Sequence, residues 1–252
     1  MVKKEYLKFI AIPDVHVPYE DKQSVRTVLR FVKDQQPDHV VLIGDVLDNY
    51  SISHYDKNPE RSQRLQWELD RTQGFLTELR RAAGIGTRIT YLEGNHELRM
   101  QKYLWKHPEI HGLKNMELPK LLELEKNDVD YCSELVWKNA FIFTHGKKTT
   151  IYAPRVELDT NGMSGMSGHS HRRGSHYKTS RTGVTEWHSI GHLCDAKKAE
   201  YASNPNWQQG LGVVRFSLKN KDFFAESLPI VKHKIIYDGK LYKPNGVSVV
   251  RQ

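Results

Sequence analysis

The stretch LKFIAIPDVH, residues 7–16, sets the pattern on which the whole chain of 252 residues is organised. It is a short apolar run followed at once by a carboxylate and an imidazole. An apolar run followed by a polar cluster recurs at 40–48, 89–97 and 141–146, where the clusters are Gly44-Asp45-Val46-Leu47-Asp48, Gly94-Asn95-His96-Glu97 and Thr144-His145-Gly146. A fifth polar cluster, Gly168-His169-Ser170-His171, completes the series. The apolar runs have the length and the β-branched or aromatic content of buried strands. We therefore predict strands over Leu7–Ile12, Val40–Ile43, Ile89–Leu92 and Phe141–Phe143.

Helical spacing of apolar residues separates these predicted strands. It predicts helices over Asp21–Gln36, Pro59–Ala83, Leu98–Lys106 and Leu118–Glu125. After His171 the pattern changes, and short strands are predicted over Ser175–Ser180, Gly183–Ile190, Leu211–Leu218, Phe223–Leu228 and Lys234–Tyr237. No repeat or linker divides the sequence, so we expect one α/β domain over residues 1–252, with a mixed sheet.

The polar clusters indicate a metal site. Side chains at the carboxyl ends of such strands converge in one crevice, and those that converge here are carboxylates, an amide and imidazoles, without thiolates. These ligands suit Mn, Fe or Zn better than Mg or Ca, which prefer shells of oxygen alone. Asp45, which follows a strand and a glycine, is the natural bridge between two cations. The polar segment Asn49–Asn58, with Tyr50, His54 and Tyr55, is expected to form a rim of this site.

The composition of the chain indicates which partners and which cellular compartment to expect. The chain carries 38 Lys and Arg against 30 Asp and Glu, a net charge of +8 that favours anionic partners. Seven basic and two acidic residues fall within 147–181, beside the last polar clusters. No apolar run approaches the length of a membrane span, and residues 1–16 are interpreted as leading into the first core strand rather than as a signal peptide. Two cysteines are too few for a disulfide framework, so we expect a cytoplasmic protein without a membrane partner.

The five clusters, in this order and spacing, resemble the calcineurin-like metallophosphoesterase superfamily over roughly Phe9–Arg173. The resemblance implies a four-layer α/β/β/α sandwich of two mixed sheets with flanking helices. It implies that His96 is an unligated acid that protonates the leaving oxygen, with Asp48 as its orienting carboxylate. It also implies two metal ions: the ligands of one are Asp14, His16, Asp45 and His171, and those of the other are Asp45, Asn95, His145 and His169.

Within the superfamily, the residues resemble the phosphodiesterase and nuclease branch. Protein Ser/Thr phosphatases typically carry an arginine where this chain has Asn49, and their last motif generally supplies one ligand histidine. The ending His169-Ser170-His171 is similar to the two-histidine ending of phosphodiesterases and nucleases. The segment Pro205-Asn206-Trp207-Gln208-Gln209-Gly210 resembles members of the superfamily from phages.

The resemblance and the charge lead to an expected reaction. We expect hydrolysis of phosphodiester bonds in DNA, RNA or a nucleotide, by a hydroxide that bridges two divalent ions, with Mn foremost and Fe, Zn, Co or Ni as other candidates. Candidate contacts to substrate phosphate are Arg172, Arg173, Lys147 and Lys148. One alternative is a phosphomonoesterase, including a protein Ser/Thr phosphatase. Another is a binding module without catalysis, like a retromer subunit of this superfamily, although such proteins usually lose the acid or several ligands.

Overall fold

The computed structural model describes residues 4–58, 64–198 and 205–250. Fourteen strands and five helices lie in these ranges. The strands are β1 Tyr6–Ile12, β2 His39–Leu42, β3 Arg88–Leu92, β4 Val129–Cys132, β5 Glu134–Trp137, β6 Phe141–Thr144, β7 Ser164–Ser167, β8 Arg173–Ser180, β9 Gly183–Ile190, β10 Gly210–Ser217, β11 Phe223–Pro229, β12 Ile235–Tyr237, β13 Lys240–Lys243 and β14 Gly246–Val249. The helices are α1 Lys22–Gln35, α2 Leu65–Ala83, α3 Leu98–Lys106, α4 Leu118–Leu121 and α5 Ala153–Asn161.

The strands form two large mixed sheets and one small antiparallel sheet. The first sheet has the order β11-β10-β1-β2-β3-β4, with β1 to β4 parallel and β10 antiparallel to both of its neighbours. The second has the order β5-β6-β7-β9-β8, in which β6, β7 and β9 are parallel and both edge strands are antiparallel. The small sheet, β12-β13-β14, packs against α1 through Phe31, which meets the rings of Tyr237 and Tyr242.

Alternation along the strands separates two cores. Ile10 and Ile12 of β1 face the helices α1 and α2, whereas Phe9 and Ala11 face the second sheet. A third cluster, which includes Trp187, lies between the second sheet and α5. The order helix, sheet, sheet, helix is the predicted four-layer α/β/β/α sandwich, and the fold class is confirmed.

Most predicted elements are found, with shifted ends. The helix after the first strand begins after Asp21, whose side chain caps it by accepting from the N–H groups of Gln23 and Ser24. The helix predicted from Pro59 is present from Leu65 onward, and residues 59–63 lie outside the described residues. The single helix expected over Leu118–Glu125 is wrong: α4 ends at Leu121, and a 3₁₀ turn follows over Leu124–Asn127.

Two features of the fold bear on function. The loops that carry the polar clusters follow β1, β2, β3, β6 and β7, so the carboxyl ends of both large sheets meet at one edge of the sandwich. Among the helices within the described ranges, none has the length and apolar character needed to cross a bilayer.

Candidate metal centre

The five polar clusters come together in three overlapping groups of possible metal ligands, of which one, His16 with Asp45 and His96, joins the two described below. In the first group, His16 Nε2 lies 3.1 Å from His171 Nε2, which lies 3.3 Å from Asp14 Oδ1. All three residues are buried. The structure therefore brings together residues that are 155 positions apart in the sequence.

The second group lies beside the first and shares a carboxylate with it. His145 Nε2 is 3.2 Å from Asp45 Oδ2, 3.1 Å from His169 Nδ1 and 3.0 Å from Asn95 Oδ1. The same Oδ2 atom of Asp45 lies 3.8 Å from His16 Nε2 in the first group. Asp45 therefore stands between the two groups, where a bridging ligand has to be.

The donor set fits divalent transition-metal ions. Bonds of about 2.0–2.2 Å to nitrogen and oxygen place neighbouring ligand atoms about 3.0–3.4 Å apart in tetrahedral or octahedral geometry. The separations of 3.0–3.3 Å within the two groups match that spacing. His16 Nδ1 lies 2.9 Å from the Asp48 carboxylate, so in the neutral ring the proton is on Nδ1 and Nε2 offers its lone pair to a cation.

Burial and charge set the protonation of these groups. Burial lowers the pKa of His145, but the carboxylate of Asp45 outweighs it and raises that pKa to about 10. Burial raises the pKa of Asp14 to about 6. For His171, burial and the neighbouring His16 hold the pKa well below its usual range. A metal ion that binds His145 near neutral pH must therefore displace a proton.

Several ligands occupy a strained backbone conformation. Asp14, His16, Asp45, His169 and His171 have φ between 40° and 61°, in the left-handed region that costs a residue other than glycine roughly 1–3 kcal/mol. Such strain persists only where surrounding bonds fix the backbone. They do so here: the N–H of His16 donates to the carbonyl of Asp45, and the N–H of His169 donates to the Asp14 carboxylate.

Glu97 anchors the loop that carries Asp45. Its buried carboxylate accepts from the N–H groups of Asp45, Val46, Leu47 and Gly94 and from the Tyr91 hydroxyl, at distances of 2.5–3.1 Å. Burial raises the pKa of Glu97, whereas the N–H groups, which can only donate, favour its ionised form. A Cβ on Gly94 would collide with Asp45 and Glu97, so only glycine fits there.

The carboxylate of Asp48 lies near both the candidate ligand His16 and the predicted acid His96, and it is closer to His16. Its Oδ2 is 2.9 Å from His16 Nδ1 and 3.5 Å from His96 Nδ1. His96 Nδ1 instead donates to the backbone carbonyl of Asp48, at 2.8 Å. Burial opposes the charge on Asp48, but His96 and His16 hold its pKa well below its usual range. The orientation of His96 thus comes from the backbone of Asp48, and its carboxylate orients His16.

Arg99 is a site residue that the sequence analysis missed. Its guanidinium donates to the Asp48 carbonyl at 2.9 Å and to His96 Nε2 at 3.0 Å. The Nε2 atom of His96 is 3.8 Å from Asp45 Oδ2, so Arg99 stands beside the metal groups as well as beside the predicted acid. Burial lowers the pKa of His96, but Asp45 and Asp48 together raise it above its usual value. Arg99 lies three residues after His96, across the turn that leads into α3, and its N–H donates to the His96 carbonyl; this spacing was the signal that could have found it.

The metal groups open into a cavity of about 900 Å³. The predicted rim is found in part: Tyr50, Ser53, Tyr55 and Asp56 of the segment after β2 line the cavity, whereas His54 does not. Other lining residues are Tyr19, Arg99, Thr149, Arg172, Asp195, Lys198 and Trp207. The opening therefore carries aromatic rings and charges of both signs around a carboxylate and imidazole floor.

The four predicted substrate contacts have different positions. Arg172 lines the cavity, and its Nε donates to the carbonyl of Asn206 at 3.1 Å. The guanidinium of Arg173 turns away and donates to Ser227 instead. Lys147 and Lys148 donate their backbone N–H groups to the buried carboxylate of Glu157, and neither residue lines the cavity.

The four-layer fold, with carboxylate, amide and imidazole clusters at its strand ends, defines the class of metallophosphoesterases. The chain belongs to the calcineurin-like phosphoesterase family, whose sequence model matches residues 7–198. It is similar to the Gene 54 proteins of Mycobacterium phages L5 and D29, each 28% identical over 94% of this chain and 98% of the phage protein. The expected likeness to phage members is thereby confirmed.

The solved structures to which the chain is similar are more distant in sequence. One is described as a novel archaeal phosphodiesterase, with a TM-score of 0.45 and 13% identity over 88% of this chain and 100% of that chain. Another is vacuolar protein sorting 29 from Cryptosporidium parvum, with a TM-score of 0.45 and 12% identity over 97% of this chain and 98% of that chain.

Proposed function

We propose that this protein is a phosphodiesterase that uses two divalent transition-metal ions, manganese foremost, to hydrolyse phosphodiester bonds of a nucleic acid or nucleotide. One observation carries the proposal: two ligand groups share Asp45, and His96 and Arg99 stand beside them in one cavity. A phosphoryl group in this cavity would meet metal ligands and hydrogen-bond donors together.

The proposed ligands of each metal ion are residues whose ligand atoms lie close to one another. Asp14, His16 and His171 would hold one ion, Asn95, His145 and His169 the other, and Asp45 both. When bound, the two ions would acidify water and neutralise charge that develops on phosphorus oxygens. The protein fixes the ligands in advance, because bonds from Asp48 to His16 and from Glu97 to the Asp45 loop hold them in place.

His96 and Arg99 would have different roles: His96 would donate a proton, and Arg99 would contact the phosphate. His96 Nδ1 is committed to the Asp48 carbonyl, so Nε2 is the atom that can give a proton to the leaving oxygen. Arg99 now donates to that Nε2, which therefore carries no proton in this arrangement. A bound phosphate would draw the guanidinium away, because an arginine–phosphate pair is the stronger interaction. Burial lowers the pKa of His96 but Asp45 and Asp48 raise it above its usual value, so His96 would then take up from solvent the proton that Nε2 gives to the leaving oxygen. Arg172 lines the same cavity and supplies a second cation.

The cavity favours a diester with bases attached over a small phosphate. A volume of about 900 Å³ is far larger than a phosphoryl group requires. Its aromatic residues Tyr50, Tyr55 and Trp207 offer surfaces on which bases stack. Trp187, in contrast, is fully buried and bonded to Ser167, so it belongs to the core.

We further propose that residues 1–252 form one catalytic domain that works in the cytoplasm. Cys132 and Cys194 are both free thiols, as a reducing compartment requires.

A paired assay tests the proposed function. Wild-type protein with added Mn is given bis-p-nitrophenyl phosphate and, separately, p-nitrophenyl phosphate, and kcat/KM is compared. Faster hydrolysis of the diester is expected. Faster hydrolysis of the monoester would replace the proposal with a phosphomonoesterase, including a protein Ser/Thr phosphatase. If neither substrate is turned over with Mn, Fe, Zn, Co or Ni, the remaining alternative is a binding module without catalysis.

A further inference from the structure

Helix α3 carries a row of basic and aromatic side chains that begins at the catalytic site. Arg99, Lys102, Tyr103 and Lys106 are spaced by three, four and seven residues, so they lie on one flank of the helix. We call this set the α3 stripe. Its inner end is Arg99, which donates to His96 Nε2 and to the Asp48 carbonyl.

The outer part of the α3 stripe faces solvent. Lys102, Tyr103 and Lys106 are exposed, whereas Met100 and Leu104 form the buried side of the same helix. Neither Lys102 nor Lys106 forms an ion pair with any residue in the three described ranges. The helix contains no acidic residue that would neutralise them. A positive surface therefore extends outward from the site.

The length of the α3 stripe favours a ligand with several phosphates over a mononucleotide. Seven residues separate Arg99 from Lys106, which corresponds to about 10 Å along a helix axis. A row of this length can meet phosphates of neighbouring nucleotides in one strand, whereas a nucleoside monophosphate offers a single phosphate. Tyr103 adds an aromatic face beside the lysines, packed against the ring of His107 with centroids 4.4 Å apart. Cations interleaved with an aromatic ring are typical of single-strand binding.

We propose that the α3 stripe is the path along which a single nucleic-acid strand leaves the catalytic cavity, so that the substrate is a polynucleotide. This inference rests on the proposed function and names its substrate class. The phosphate next to the scissile bond would meet Arg99, and phosphates further along the strand would meet Lys102 and Lys106.

The test compares a long and a short diester in variants of matched charge. Lys102→Gln with Lys106→Gln removes two cations from the α3 stripe, and Lys102→Arg with Lys106→Arg keeps them. Lys219→Gln with Lys221→Gln is the control, because these exposed lysines follow β10 at the end that pairs with the start of β1, opposite the site. Each protein is assayed with Mn on a 12-nucleotide single-stranded DNA and on bis-p-nitrophenyl phosphate, from 50 to 200 mM salt.

The expected result is a loss confined to the polynucleotide. Losing two phosphate contacts on a single strand lowers the slope of log affinity against log salt by about 1.4, which is roughly 25-fold at 0.1 M salt. The ratio of kcat/KM for DNA to that for the small diester should fall by about that factor in the glutamine pair. It should be restored in the arginine pair and unchanged in the control.

Two results would overturn the inference. One is an unchanged ratio and salt slope in the glutamine pair, which would assign this flank of α3 to another partner, such as a protein. The other is an equal loss in the control, which would show a general charge effect. In both cases wild-type hydrolysis of the small diester still supports the proposed function. If the wild type hydrolyses neither substrate, the proposed function itself fails.

Discussion

Replacing Glu97 with glutamine should destabilise the protein more than its single lost charge suggests. In the wild type, one carboxylate oxygen accepts from the N–H groups of Asp45 and Gly94, and the other accepts from those of Val46 and Leu47 and from the Tyr91 hydroxyl. Glutamine has one carbonyl oxygen, and its NH₂ group must take the place of the other acceptor. In either orientation two buried backbone donors lose their partner and face another donor.

The magnitude follows from those two lost bonds. A hydrogen bond to a charged acceptor contributes about 1.5–3 kcal/mol, so Glu97→Gln should lower the free energy of unfolding by about 3–6 kcal/mol. In a protein of this length each kcal/mol corresponds to about 2–4 °C, which gives a fall in Tm of roughly 6–24 °C. Urea unfolding and thermal melts should both be recorded in EDTA, so that metal release does not contribute.

Glu68→Gln is the matched control. Glu68 is also a fully buried carboxylate, but one of its oxygens accepts only from the N–H of Tyr50, while the other serves Ser51. In Glu68→Gln the NH₂ group can take the place of the oxygen that accepts from Tyr50. Only that hydrogen bond is then lost, at a cost of about 1.5–3 kcal/mol. If Glu97→Gln costs no more than Glu68→Gln, or less than about 1 kcal/mol, Glu97 does not anchor the loop of Asp45 through these bonds.

Three further predictions concern the site. His96→Ala should bind both metal ions, measured by metal content, but lose about 10²–10⁴-fold in kcat on diesters with poor leaving groups; full activity would remove His96 from proton transfer. Asp48→Asn should weaken metal binding about 10–100-fold, measured by chelator competition, because Asp48 orients His16; wild-type affinity would exclude that role. Because the pKa of His145 is raised to about 10, the protonated form prevails below that pH, and binding must release its proton. Affinity for the ion at His145 should therefore rise about tenfold per pH unit between pH 7 and 9, and a flat calorimetric profile would contradict this protonation.

The central strands were predictable because their apolar runs are buried on both faces. Ile10 packs toward the helices and Phe9 toward the second sheet, so β1 needs no polar face. Strand β7, with the sequence SGMS, gives no such signal. It lies between β6 and β9, where a Cβ on Gly165 would collide with Trp187 and Ile142, so close packing demands a residue that single-sequence patterns assign to turns.

The convergence of the predicted ligand residues at the strand ends was predictable, whereas the positions of the groups that support them were not. Each ligand follows a strand directly, so the strand fixes where its side chain goes. The partner of Asp48 depends on a 0.6 Å difference between two histidines, since its carboxylate is 2.9 Å from His16 and 3.5 Å from His96. Arg173 was expected at the substrate, but its guanidinium reaches Ser227 across the packed sheets. Such choices are set by tertiary packing, which spacing along the chain does not encode.

Three buried glutamates explain how a strained site keeps its shape. Glu97 holds the loop of Asp45, Glu68 holds the start of the rim at Tyr50, and Glu157 holds the backbone of Lys147 just after His145. Each glutamate lies later in the sequence than the N–H groups that it holds. These backbone N–H groups have no partner in a strand or helix, and the glutamates accept from them. Among the five candidate ligands with positive φ, Asp45 is the one whose N–H donates to a glutamate, so its backbone is fixed by the protein and does not depend on a metal ion. Loss of Glu97 should therefore lower folding stability as well as disturb the position of Asp45.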